Sequence, residues 1–177
     1  MDLLQLLQER YSTRRFNTDK EVPQECVTQI LEAARVAPTG HNAQPFHLYV
    51  LKGESTKKLL TKVTNYNFKA PLAIVLTVKR EESWKRDDGY DIADVDAGIV
   101  GTHIMLQAHA LGLGCCWIAA LDEALTKEML QIPEGEEVVT MFEIGYKRED
   151  DRPSRLHTER KSLEELVTEV EFPDILI

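Results

Sequence analysis

The sequence predicts an α+β fold in a single domain, residues 1–177, and three observations carry that expectation. Segments with strand character are few, and segments with helical spacing of apolar residues outnumber them. A length of 177 residues suits one hydrophobic core. No repeat, low-complexity tract or Gly/Ser-rich linker divides the chain, and its seven prolines are spread from Pro23 to Pro173. With 43% hydrophobic and 29% charged residues, the composition is that of a chain able to bury a core.

Taken in order, Asp2 to Arg10 carries Leu3, Leu4, Leu6 and Leu7 and reads as a short amphipathic helix. A second helix starts after Val22 with Pro23 in its first turn, and buries Val27, Ile30, Leu31 and Ala34. Pro38 disfavours helical geometry in the residue before it, so this helix stops near Ala37. The polar loop Pro38-Thr39-Gly40-His41-Asn42 follows. Phe46 to Leu51 reads as a strand, and Leu72 to Val78 as a strand buried on both faces. Asp94 to Leu111 is helical, with Val95, Ile99, Ile104, Met105, Leu106 and Ala108 placed around most of its circumference. Such a helix is expected to be buried all round, more easily so if a second subunit covers part of it. Gly114 to Ile118 and Val138 to Ile144 are the remaining strands. The last helix begins at Ser162, where Ser162-Leu163-Glu164-Glu165 forms a capping box, and continues through Leu166, Val167 and Val170.

Charge excludes one class of function. With 21 Lys+Arg against 30 Asp+Glu the chain carries a formal charge of -9, the wrong sign for nucleic acid held by bulk charge. No apolar run reaches the roughly 20 residues of a membrane span, and the N-terminus lacks a basic start and apolar centre, so a cytoplasmic protein without a membrane partner is expected. Cys26 is isolated while Cys115 and Cys116 are adjacent; three cysteines without C-x-x-C argue against a disulfide frame or a zinc site. Adjacent cysteines in a strand point to opposite faces and read as small buried groups. His103 and His109, six apart, do not share a helix face, so no metal site is assigned. Asp91, Asp94 and Asp96 at a helix start read as capping and dipole groups.

Three segments bear chemistry. Arg10-Tyr11-Ser12-Thr13-Arg14-Arg15-Phe16 is a basic, hydroxyl-bearing bend in an acidic protein. Guanidinium forks and Ser12 together suit a phosphate, although for the bend taken alone a solvated basic turn is the better reading. Pro153-Ser154-Arg155 and Arg160-Lys161-Ser162 form a second basic cluster, the latter just before a helix N-terminus. In Ala37-Pro38-Thr39-Gly40-His41-Asn42-Ala43-Gln44-Pro45-Phe46, prolines fix the backbone around hydroxyl, amide and imidazole groups. Thr39 and Asn42 there either meet a ligand or simply close turns.

Arg10-x-Ser12-x-Arg14-x-Phe16, the Ala37 to Phe46 motif, and Gln107-Ala108-x-x-Leu111-Gly112-Leu113-Gly114 with Trp117 resemble, in order and spacing, the nitroreductase family of FMN-dependent oxidoreductases. The resemblance runs from Leu3 to Val167. It implies a three-layer α+β sandwich with a mixed, mostly antiparallel sheet flanked by helices, and a homodimer with FMN at the subunit interface. By position it assigns FMN binding to Arg10, Tyr11, Ser12 and Arg14, to Arg160 and Lys161, to Pro38, Thr39, Asn42 and Gln44 supplied by the partner subunit, and to Ile118 and Ala119 at the ring edge. The chain shows Ala119-Ala120 where the family usually has a glycine, and backbone donation there survives if φ is negative.

The resemblance further implies NADH or NADPH as electron donor and a small oxidised acceptor, nitroaromatic or quinone-like. Gly112-x-Gly114 follows a helix and opens a strand, the reverse of a dinucleotide-binding turn. Donor and acceptor are therefore expected to share one pocket in ping-pong order. No protein nucleophile or general base is assigned, since the flavin carries the chemistry. His41, Tyr66, Phe68 and Trp84 are the candidate substrate contacts, the last within the polar stretch Lys79 to Tyr90. Two other readings stay open: a flavin carrier or sensor without turnover, and a family relative with reductive dehalogenase or oxygen-dependent flavin chemistry.

Overall fold

In the computed structural model, which describes residues 2–171, the chain runs α1 (Leu3–Glu9), α2 (Gln24–Arg35), β1 (Phe46–Lys52), α3 (Glu54–Val63), β2 (Leu72–Lys79), α4 (Ala93–Ala110), β3 (Gly114–Ile118), α5 (Glu123–Leu130), β4 (Glu136–Gly145) and α6 (Leu163–Leu166). Single 3-10 turns stand at Gly40–Asn42, Arg80–Glu82 and Arg155–His157. The four strands form one sheet in the order β1-β2-β4-β3, and each neighbouring pair is antiparallel. Among the described residues, the parallel component of the expected mixed sheet is a single bridge, Ser12 to Cys115.

The sheet is the middle of three layers. Side chains alternate along a strand, so Leu72, Ile74, Leu76 and Val78 of β2 enter the core under α2 and α4, while Ala73 and Val75 enter the core under α3 and α5. Both faces are therefore apolar, which explains the unbroken Leu-Ala-Ile-Val-Leu run. Each fully buried Leu, Ile or Val there contributes about 1.5–3 kcal/mol. Cys115 and Cys116 separate as the pleat requires, one in each core. All three cysteines are free thiols.

Close packing on the α4 side rests on Gly101. A Cβ placed there would lie 2.4 and 2.6 Å from the Trp117 ring and 2.8 Å from Phe142, so helix and aromatic pair meet only because the side chain is absent. The two rings stand edge to face, with centroids 4.8 Å apart.

Four details differ from the sequence expectation. Pro23 is the N-cap of α2, with extended ψ of 145°, and not part of the first turn. α4 is not buried all round in the single chain: Ala93, Ala97, Val100, Ile104 and Ala108 face the sheet, while Val95 is exposed and Ile99 and Met105 are half-buried. α6 keeps its capping box but ends after one turn at Leu166; Val167 is already extended, and among the described residues Leu163 and Val170 stay exposed. Finally, α3 and α5 lie where no helix was expected.

Candidate functional site

The segment from Arg10 to Phe16 runs as an added, irregular strand beside β3. Thr13 donates its N–H to the Cys115 carbonyl at 3.1 Å, and Ser12 bridges to Cys115. Thr13 is fully buried against Gly114, where a Cβ would sit 2.4 Å from its hydroxyl oxygen. In extended backbone alternate residues point to opposite sides, so anchoring Thr13 inward sends Ser12 and Arg14 outward. They line a pocket of about 250 Å³ with Arg10, Tyr11, Ser154, Leu156, His157 and Arg160. The two basic clusters from opposite ends of the chain thus meet.

Arg15 faces elsewhere and pairs with Asp150 at 3.0 Å. Arg155 pairs with Glu159, and Lys161 does not line the pocket. Among the described residues, Arg10, Arg14 and Arg160 make no ion pair. Arg14 Nη1 donates to the Ser12 carbonyl, and Arg160 Nη1 to the carbonyls of Leu156 and Glu159, which fixes the guanidinium planes without neutralising them. Three such cations around one concavity, in a chain of net charge -9, suit an anion. Buried Asp151 accepts the Arg14 backbone N–H at 3.4 Å, and Tyr11, which lines the same pocket, is pushed up in pKa by burial and then by Asp151.

Arg14 also lines a second pocket of about 230 Å³, together with Tyr66, Phe68, Cys116, Trp117, Ile118, Ala119 and Ala120. Its walls are aromatic or apolar, suited to a planar ring. The Ala119-Ala120 departure costs no strain, because neither residue has a positive φ. Burial pushes the Cys116 thiol up to about 11, so it stays protonated at neutral pH. One end of the Tyr66 to Ala70 segment is tied to this wall by Thr64, whose hydroxyl donates to the Ala120 carbonyl at 2.7 Å.

The loop of Pro38, Thr39, His41, Asn42 and Gln44 lies elsewhere. It precedes β1, at the sheet edge opposite β3, three strand spacings or roughly 14 Å across. His41, Asn42 and Gln44 all have positive φ, of 54°, 55° and 51°, a costly local geometry of the kind that clusters at functional sites. Thr39 does close a turn, accepting the Gln44 N–H at 3.0 Å. Trp84 belongs with this loop, since its Cβ lies beside Gly40, and not with Tyr66 and Phe68. Asp96 is not a helix cap: it is buried and accepts the Gly40 N–H at 2.9 Å, tethering the loop to α4. Sequence reasoning missed that tether, because an acidic residue in a first helical turn has a sufficient local explanation. His157 and Ala120 were missed as pocket residues, and only their neighbours Arg160 and Ala119 signalled them.

Comparison with known proteins adds the following. The sequence pattern of the nitroreductase family matches residues 7–69 and 67–146 of this chain. A nitroreductase family protein of Clostridium difficile 630 has 32% sequence identity and a TM-score of 0.88, over 97% of this chain and 100% of that one. An FMN-dependent nitroreductase of Clostridium difficile R20291 has 28% identity and a TM-score of 0.73, over 90% and 98%. A protein of Methanothermobacter thermautotrophicus provisionally named NADH dehydrogenase/NAD(P)H nitroreductase is 28% identical over 173 residues, covering 90% of this chain and 88% of that protein.

Proposed function

The chain belongs to the nitroreductase family, and from that premise we propose that it is an FMN-dependent oxidoreductase carrying electrons from NADH or NADPH to a small oxidised acceptor, nitroaromatic or quinone-like, in ping-pong order. One observation carries the reading. A cationic pocket and an aromatic-walled pocket share a single residue, Arg14, so the cavity complements a flavin mononucleotide: a dianionic tail joined by a short chain to a planar ring. The residues present fit the group. Arg10, Arg14 and Arg160 with Ser12 and Ser154 would hold the phosphate, and Ile118, Ala119, Tyr66 and Phe68 would flank the ring.

FMN, when bound, supplies the hydride-accepting and electron-passing chemistry. The chain binds and orients it, and its fixed positive charge favours the more anionic reduced form. Cys116, neutral at the pocket wall, gives no nucleophile, and among the described residues no carboxylate or imidazole lines the ring pocket. Ping-pong order is supported by Gly112, whose φ of 75° ends α4 and leads into β3: the glycines turn the chain from helix to strand and present no nucleotide-binding helix start. Donor and acceptor then use the same ring pocket in succession.

The proposal includes a homodimer. The Pro38 to Gln44 loop sits at the far edge of its own sheet, so it meets a ring pocket only in a second copy. Exposed Val36 on the loop side of α2, Val95 on α4 and Leu163, Leu166, Val167 and Val170 near the C-terminus supply apolar surface for that copy to cover. Among the described residues no helix is long and apolar enough to cross a membrane.

The experiment is anaerobic spectroscopy. The purified protein is expected to carry a visible flavin spectrum that bleaches on addition of NADH or NADPH and returns on addition of a nitroaromatic or quinone. A bound flavin that stays oxidised under both donors would make the chain a carrier or sensor.

A further inference from the structure

Glu143 stands in β4 between Phe142 and Ile144, whose side chains enter the α2/α4 core, so its own side chain points into the opposite layer, opposite Cys116 in the β3 register. It is fully buried. Its two oxygens accept the Phe68 N–H at 3.0 and 3.2 Å, and one of them accepts the Ala70 N–H at 3.0 Å. Every hydrogen-bond partner it has among the described residues is a donor, which is the geometry of an ionised carboxylate. Those two amides bracket Lys69, a left-handed residue with φ of 62°, in the segment that places Phe68 and Tyr66 on the ring pocket.

We propose that Glu143 is a positioning residue for this pocket: while its carboxylate is ionised, it clamps the Phe68 and Ala70 amides and holds the aromatic wall in place, and protonation releases the wall. The inference rests on the flavin reading given above. Protonating the oxygen that meets only Phe68 removes its 3.0 Å bond, and protonating the shared oxygen removes the bond from Ala70, so at least one bond is lost either way. The switch falls in a useful range, because burial pushes the Glu143 carboxyl up to about 7, against the downward pull of the two amides. Among the described residues no charged side chain contributes to that shift. Cys116 opposite is a neutral thiol, and Cys115, also raised by burial, lies in the other layer. The α3 side chains in this core, Leu59, Leu60 and Val63, are apolar, Met141 fills the same layer from β4, and Lys69 is exposed. Arg14 is the one cation that lines the pocket itself. Thr64 pins the other end of the segment without a titratable group.

Two measurements on the full chain from pH 5.5 to 8.5 test the proposal: amide hydrogen exchange of residues 64–71, corrected for intrinsic rates, and FMN affinity by fluorescence quenching. In the unaltered protein, exchange at Phe68 and Ala70 is expected to rise as pH falls through about 7, with FMN affinity weakening roughly five- to tenfold. Glu143→Gln should show the raised exchange at every pH. It should also remove that part of the affinity change, leaving only what the titration of the FMN phosphate contributes. Exchange that is flat with pH in the unaltered protein, or identical exchange in the two proteins, overturns the proposal. So does FMN affinity whose pH profile is the same in both. The unaltered protein's own exchange profile decides the matter if Glu143→Gln does not fold. Failure to bind FMN at any pH would instead sink the flavin reading, and the exchange data, taken without ligand, tell the two failures apart.

Discussion

Replacing Gly101 by alanine sets two effects of opposite sign against each other. In a helix interior, Gly→Ala gains about 1 kcal/mol from backbone entropy. Here the new methyl would sit 2.4 and 2.6 Å from Trp117 and 2.8 Å from Phe142, whereas carbon atoms pack at about 3.5–4.0 Å. The rings must therefore retreat by roughly 1 Å. Neither has an easy path: Phe142 is fully buried, and Trp117 is wedged edge to face against it. Overpacking of this kind costs about 1–3 kcal/mol, so the net expectation is a loss of up to about 2 kcal/mol. For a chain of this size the full loss of about 2 kcal/mol lowers Tm by about 4–8 °C. Urea unfolding followed by tryptophan fluorescence measures it, and near-UV circular dichroism should report the displaced indole. A variant more stable than the parent, with an unchanged indole signal, would refute the packing argument.

Arg14→Ala removes the cation common to both pockets, and FMN affinity is expected to drop about 10- to 100-fold, the range of one charge-assisted hydrogen-bond pair; undiminished affinity by fluorescence titration would show the cluster misread. Glu143 also bears on stability: its carboxyl titrates near 7 in the folded chain against an ordinary 4.5, so the folded state binds the proton more tightly, and this residue's contribution declines as pH rises from 4.5 to 7. The difference in unfolding free energy between the parent and Glu143→Gln should accordingly change by about 3 kcal/mol between pH 4.5 and 8, which denaturant titrations at the two pH values measure. Sedimentation at micromolar concentration should give a dimer, and a monomer that keeps FMN would contradict the placement of the Pro38 to Gln44 loop.

What the sequence revealed and what it hid follow from the range of the forces involved. The Leu72 to Val78 strand and the α4 helix were legible because their apolar residues are dense enough to outweigh context. α3 and α5 were not: each is short and rich in Thr, Lys and Glu, and each acquires its helix from docking a few residues, Leu59, Leu60 and Val63 in one and Thr126 in the other. α6 was overextended because a capping box specifies where a helix starts and says nothing of how far burial will sustain it. In the site, the guanidinium clusters were visible as unpaired charge. Trp84 was grouped with Tyr66 and Phe68 because proximity in sequence hid the fact that the sheet carries them to different sites. Glu143 left no trace, since a polar residue in a strand ordinarily faces water, and only β4 pairing with strands on both sides, under α3, turns it inward.

The segment that presents Arg10, Ser12 and Arg14 also lies along the outer rim of β3, where Thr13 occupies the Cys115 carbonyl and Phe16 bridges to Lys147. An uncovered rim of that kind invites pairing with strands of other molecules. Clipping the chain ahead of Phe16 would thus do more than abolish ligand capture: it would unmask a sticky ladder and drive the truncated protein toward precipitation. Solubility and cofactor retention would be lost in the same cut.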